Sequence, residues 1–290
     1  MIRIYGSSYT KWVYPTWADL MKWYYDVPIR NYGVPGYSMQ GLKRLVYTTA
    51  QQDDTVIVMW GNPSRMDYGV DLKFITERPE FAQSGGGPVY ENRWGINTFV
   101  HEDMLFARRK HADTSLFEKL NNSAECIVET QNFCEAHGIK YRFANWANLF
   151  VDMDGREGST PGKPINLERY LKNPLFNYNY NNIKQEMFLG DFPNGLLEHQ
   201  IANPERPNPD WDPHASAWNH WLYFKEYCTQ LPFANRNNLD TLEDRVSQFA
   251  DWYSNTTMYD FGIKTHNEFV TEKLVRTRRN IFRMFFKNIT

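Results

Sequence analysis

Cysteine is scarce in this chain: Cys126, Cys134 and Cys228 are the three found among 290 residues. An odd, low count excludes the disulfide framework that staples small secreted domains. If Cys126 and Cys134 share a helix, they stand roughly 12 Å apart along its axis, too far for a bridge. A reducing compartment is expected. Long hydrophobic runs are missing as well, so no transmembrane segment is expected. Met1 to Thr10 is short, polar and strand-like, unlike a secretory signal. The expectation is a cytoplasmic protein when made, with association to a virus particle as the other location. Nor is there an excess of positive charge. Lys and Arg number 32 against 34 Asp and Glu, a net charge of -2. Nucleic acid is therefore not an expected partner.

What is present is a chain long enough for one large α/β domain with a helical appendage. Hydrophobic residues make up 42%, which excludes wholesale disorder. Aromatics reach 16%. Aromatic rings among polar neighbours suit sugar-binding surfaces and protein interfaces alike.

The first sixty residues have a clear rhythm. Ile2-Arg3-Ile4-Tyr5 alternates like a short strand and runs into Gly6-Ser7-Ser8. Pro15 opens a helical stretch through Trp17, Leu20, Met21 and Tyr24. Ile29 to Tyr32 reads as a second strand, and Ser38 caps the next helix. Thr55 to Met59 is a continuous apolar run, as in a strand buried on both faces. Strand and helix alternate, which predicts a parallel sheet with right-handed crossovers. The fold class expected is a three-layer α/β/α, flavodoxin-like sandwich.

Further along, residues 61–110 lose the pattern and read as an insertion. A helix resumes near Asp113, Gly138 ends it, and Ile139 to Ala144 reads as the next strand. A second, Asn-rich insertion covers about 154–200. A helix follows Pro213. Residues 1–240 thus form the predicted α/β domain and 241–290 a helical extension. The final helix has an apolar face and a basic one with Lys273, Arg276, Arg278, Arg279, Arg283 and Lys287. Packing on its own domain is the first expectation for it, and contact with a virion or a second copy the other.

Three segments carry chemistry. Gly6-Ser7-Ser8-Tyr9-Thr10 follows the first strand, where an open parallel sheet places its sites. A serine there faces a cleft, with its own N–H near a helix start and ready for an oxyanion. Asn31-Tyr32-Gly33-Val34-Pro35-Gly36-Tyr37-Ser38 follows the second strand, and its glycines let a ligand approach the backbone. Asp210-Trp211-Asp212-Pro213-His214 precedes a late helix. A carboxylate beside a histidine fixes the imidazole tautomer, although the same pair also serves as a plain helix start. A metal site from His199, Asp210, Asp212, His214 and His220 is the weaker alternative. His214 and His220, six apart, fall on different faces of a regular helix. Neither metal nor organic cofactor is expected.

Together these blocks resemble those of the SGNH (GDSL-like) hydrolases, phage and bacterial members in particular. Gly6 to Thr10 is similar to the family's Gly-Asp-Ser-x-Thr, and Asn31 to Gly36 to its Asn-x-Gly-x-x-Gly. Trp60-Gly61-Asn62-Pro63-Ser64-Arg65 stands where Gly-x-Asn-Asp belongs, and Asp212-Pro213-His214 where the final Asp/His block belongs. The resemblance covers residues 1–60 and 205–230. It implies a serine esterase with Ser8 as nucleophile, His214 as base and Asp212 as its orienting carboxylate, Asp210 being the alternative. It implies an oxyanion hole from Ser8, Gly36 and Asn62, with Arg65 on the substrate. An ester or acylated, especially acetylated, carbohydrate is the implied substrate. Ser7 stands where the family has Asp, the third block is degenerate, and the last has one residue fewer between Asp and His. Ser7, the weak third block and the basic terminal helix motivate the rival reading, a virus-particle structural or adsorption protein that keeps the fold without the activity.

Overall fold

The computed structural model describes residues 1–33, 37–61, 67–68, 98–99, 115–152, 163–210, 212, 214–257, 260, 272–287 and 289. Four strands make one all-parallel sheet: β1 (Ile2–Tyr5), β2 (Ile29–Asn31), β3 (Thr55–Trp60) and the later Lys140–Asn145. The short stretches Asp67–Tyr68 (β4) and Thr98–Phe99 (β5) pair antiparallel apart from it, so Lys140–Asn145 is β6. The sheet order is β2-β1-β3-β6. Registers such as Ile4 against Ile57 and Val58 against Phe143 align the carboxyl ends along one edge.

Period-two alternation sorts the strand residues into two cores. Ile2, Ile4, Ile57, Met59 and Ala144 face one layer. Tyr5, Val56, Val58, Trp60, Tyr141 and Phe143 face the other. The first layer receives α1 (Trp17–Tyr24), and the second receives α2 (Met39–Thr49) and α3 (Leu116–Ala136). The sandwich is therefore α/β/α, as its sequence rhythm predicts. Local signals set the helix ends. Ser38 Oγ accepts from Gly41 N at 3.1 Å, and Ser115 and Glu118 exchange a reciprocal cap. Gly138, at φ +64°, closes α3 before β6.

The second insertion is not polar throughout. Beyond the antiparallel pair of Val151–Asp152 (β7) and Lys163–Pro164 (β8), it forms α4 (Leu167–Leu171), α5 (Pro174–Asn181) and α6 (Leu196–Ala202). Phe176, Ile183 and Phe188 bury in the second layer. Helices α7 (Ala217–Tyr223), α8 (Leu239–Tyr253) and α9 (Glu272–Phe285) cover the first. Ile281, Phe286 and Ile289 are buried there. At about 1.5–3 kcal/mol each, their burial exceeds what exposed basic residues contribute, and it holds the last helix on the domain. Arg279, Arg283 and Lys287 remain exposed, but Arg278, expected on that basic face, turns inward to Asp19 at 2.5 Å. All three cysteines are buried and free. Among the described residues, no helix is long and apolar enough to cross a membrane.

Candidate active site

The chain leaves β1 for β2 on one side and returns to β3 on the other, so the order reverses between β1 and β3. A crevice at the carboxyl ends of such strands is where open α/β sheets bind ligands. Gly6, Ser7 and Ser8 leave β1 at this point. Thr10 N and Lys11 N donate to Ser7 O at 3.0 and 3.2 Å, curling the segment into one tight turn. A Cβ on Gly6 would sit 1.8 Å from Thr10 Oγ1, so only glycine fits. The helix start expected beside Ser8 is absent: α1 begins only at Trp17. Ser8 is 3% exposed.

The second block is tied to the first. Asn31 Nδ2 donates to Thr10 O at 2.8 Å while its Oδ1 accepts from Gly33 N at 2.7 Å. A Cβ on Gly33 would meet Lys11 Cβ at 2.7 Å. Gly33 thus serves the close approach of the two loops. Gly36, Asn62 and Arg65 lie outside the described residues.

The third block does bring its pair together. His214 Nδ1 lies 2.8 Å from Asp212 Oδ1, which also accepts the His214 backbone N–H at 3.1 Å. Asp212 does not cap the helix; Ser216 does, accepting from Asn219 N at 3.1 Å. Asp210 is exposed, so of the two candidate carboxylates Asp212 is the one bonded to the ring. The Asp212 side chain is fully buried, and an unpaired carboxylate there would be costly. It is not unpaired. Oδ2 accepts from Trp12 Nε1 at 3.1 Å and Tyr253 OH at 2.9 Å. Burial opposes its ionisation, but the hydrogen bonds and charge of His214, aided by Trp12, outweigh burial and hold it below its ordinary value.

An ionised carboxylate only accepts, so Nδ1 of a neutral His214 carries the hydrogen and Nε2 is left with its lone pair. The ring packs against two tilted neighbours, Trp12 at 3.8 Å and Tyr9 at 5.2 Å between centroids. Tyr9 in turn stacks on Trp146 at 4.8 Å, just past β6. Behind the pair, Asn208 Nδ2 donates to His214 O and Tyr14 OH, both at 2.8 Å, and Tyr14 OH donates to Ala215 O at 2.7 Å. Through Tyr9 and Trp12 the His214 ring packs on the loop that carries Ser8.

The other candidate metal ligands go elsewhere. His199 Nε2 lies 3.0 Å from Glu226, and His220 is buried beside Tyr14. Burial, aided by the nearby His214 charge, pushes the His220 imidazole down to about 3. Among the described residues, no three His, Cys, Asp or Glu gather to hold a metal.

Sequence reasoning did not single out Trp12, Asn208 or Tyr253 for the site. The available signal was chemical: a buried carboxylate requires donors, and Trp and Tyr are the apolar side chains that carry one.

No protein-family model matches the sequence, and a search of curated proteins finds no match. Among solved structures, the chain is similar to an acetyl xylan esterase, AlAXEase, with a TM-score of 0.41 and 10% identity, over 80% of this chain and 100% of that one.

Proposed function

We propose that the protein is a serine ester hydrolase of the SGNH type, with Ser8 as nucleophile, His214 as general base and Asp212 as the carboxylate that orients it. The observation that carries this reading is the Asp212–His214 pair, 2.8 Å apart and laid over Tyr9 and Trp12 of the Ser8 loop at the sheet's switch point. The four-block resemblance supports the same assignment.

In this reading His214 Nε2 takes the Ser8 hydroxyl proton as Oγ attacks the acyl carbonyl carbon. The Ser8 and Gly36 N–H groups and Asn62 stabilise the oxyanion. The imidazolium, stabilised by Asp212, then returns the proton to the departing alcohol. Water, deprotonated by the same nitrogen, attacks the acyl carbon; the bond to Ser8 Oγ breaks, His214 gives that proton to Oγ, and the acid leaves. The low exposure of Ser8 favours a short acyl group such as acetyl. The Tyr9–Trp146 stack beside it suits a carbohydrate alcohol, with Arg65 as a further contact.

Hydrolysis of p-nitrophenyl acetate by the wild type, Ser8→Ala and His214→Ala tests the proposal. Each substitution is expected to lower kcat at least about a thousandfold while the protein stays folded. Three equal background rates, with no labelling of Ser8 by a serine-reactive phosphonate, would overturn it and favour a non-catalytic role for the fold.

A further inference from the structure

The Asp212 carboxylate divides its two oxygens between two tasks. Oδ1 holds His214; Oδ2 is held by Trp12 and Tyr253. Tyr253 comes from neither the Ser8 loop nor the His214 loop. It is the last residue of α8, whose buried Leu242, Val246 and Phe249 seat the helix on the first layer. Its ring is fixed edge-on to Tyr14 at 5.2 Å and stacked on Phe249 at 5.4 Å, which leaves its hydroxyl aimed at the carboxylate.

We propose that Tyr253 is a positioning residue of this site: its hydroxyl fixes Oδ2 of Asp212 and sets how strongly that carboxylate favours the protonated form of His214. The inference rests on the reading of His214 as the general base. A donor on Oδ2 draws charge away from the side facing the imidazole. Its positive end also adds a repulsive dipole near an imidazolium. Both effects weaken the hold of His214 on its second proton. A base is most effective with its pKa near the working pH, so a residue that trims this affinity tunes the rate.

The setting makes that tuning measurable. Titratable neighbours of the pair include Tyr9, Tyr14, His220 and Tyr253, and the charged Arg278 donates to the backbone of Trp12, which packs on His214. Burial above all raises the Tyr14 and Tyr253 phenols far beyond their ordinary range and lowers His220 to about 3. Across neutral pH, Tyr14, Tyr253 and His220 are therefore uncharged.

The experiment is an NMR titration of the His214 ring in the wild type and in Tyr253→Phe, with the pH dependence of kcat/KM for p-nitrophenyl acetate measured in parallel. The phenylalanine keeps the ring and removes only the donor. The His214 midpoint is expected to rise by about half a pH unit or more, with the acid limb of kcat/KM following it. 3-Fluorotyrosine placed at 253 keeps the fold and strengthens the donor, so it should move the midpoint down. In an Asp212→Asn background neither change at 253 should move it, because the carboxylate is the intermediary. An unmoved midpoint in both 253 variants overturns the proposal. If the midpoint moves but turnover does not depend on Ser8, the hydrolase reading falls and with it the positioning role, leaving only the coupling of Tyr253 to His214 through Asp212. If turnover depends on Ser8 but the midpoint stays fixed, the positioning role falls while the hydrolase reading stands.

Discussion

The indole of Trp12 lies 3.8 Å from the His214 ring, and its Nε1 donates to Asp212 at 3.1 Å. One side chain thus touches both members of the pair, flanking one with its face and hydrogen-bonding the other. Trp12→Phe keeps a ring and deletes the donor. Ester hydrolysis should then fall about tenfold in kcat with little change in KM. Trp12→Ala should in addition cost about 3–5 kcal/mol of stability in urea titration. A phenylalanine variant as fast as the wild type would show that the indole N–H has no part in the site.

Gly6→Ala brings a methyl group to 1.8 Å from Thr10 Oγ1 and 2.7 Å from Thr10 Cβ. The turn must open, with a cost of about 1–3 kcal/mol in urea unfolding. Activity should fall further than stability, because this turn carries Ser8, the proposed nucleophile. Adding Thr10→Gly removes the clash and should recover part of both. No recovery in the double variant would mean that the two residues do not meet.

His220 gives the fold a defined acid sensitivity. Its folded value lies near 3 and its ordinary value near 6.5. Between those values the unfolded chain binds a proton that the folded chain does not. Stability is therefore full above about 6.5 and declines toward 3 at up to about 1.4 kcal/mol per pH unit. His220→Phe removes that term and packs a ring beside Tyr14. Its unfolding free energy should fall less steeply than the wild type's from pH 6.5 to 4, as read from urea midpoints. Parallel slopes would place the acid sensitivity elsewhere.

At the far end of the sheet, Arg3 Nε meets Asp54 Oδ2 at 2.5 Å, with Tyr32 and Gln51 taking its other nitrogens at 2.7 and 2.9 Å. Both charged side chains are buried. Arg3→Met leaves the buried Asp54 carboxylate with only the amino terminus, 3.9 Å from its Oδ1, as a cation and should cost about 3–5 kcal/mol. Arg3→Met combined with Asp54→Asn removes the orphaned charge and should recover much of that. Equal stabilities of the single and double variants would count against the pair. Catalysis per folded molecule should be unaffected in both.

The sheet and its helices were legible because each is specified locally. Thr55 to Trp60 is apolar on both faces, Ser38 and Ser115 cap helices in their own sequence, and Gly138 supplies a positive φ. The Asp212–His214 bond was legible because the two residues stand two apart. Its support was not. Tyr253 reads as one more apolar residue of an amphipathic stripe, and Arg278 as one more exposed base. Nothing local distinguishes the arginine that turns inward from Arg279, which stays in solvent. Their roles come from partners more than two hundred residues away in the chain for Arg278 and forty-one for Tyr253. Periodicity carries no information about such pairings. The chemical need of a buried carboxylate for donors is the one general clue, and it identifies a residue type rather than a position.

Arg278 also donates to the backbone carbonyl of Trp12, and its other nitrogen reaches Asp19 at 2.5 Å. A ribosome makes the loop bearing Ser8 well over two hundred residues before it reaches the arginine that braces that loop. Loops of that length close slowly, and domains form as units during synthesis. A nascent chain therefore carries the serine long before it has the last of the groups that hold Trp12 in place. On the function proposed above, hydrolytic competence would arise late, when the residue at 278 emerges and docks.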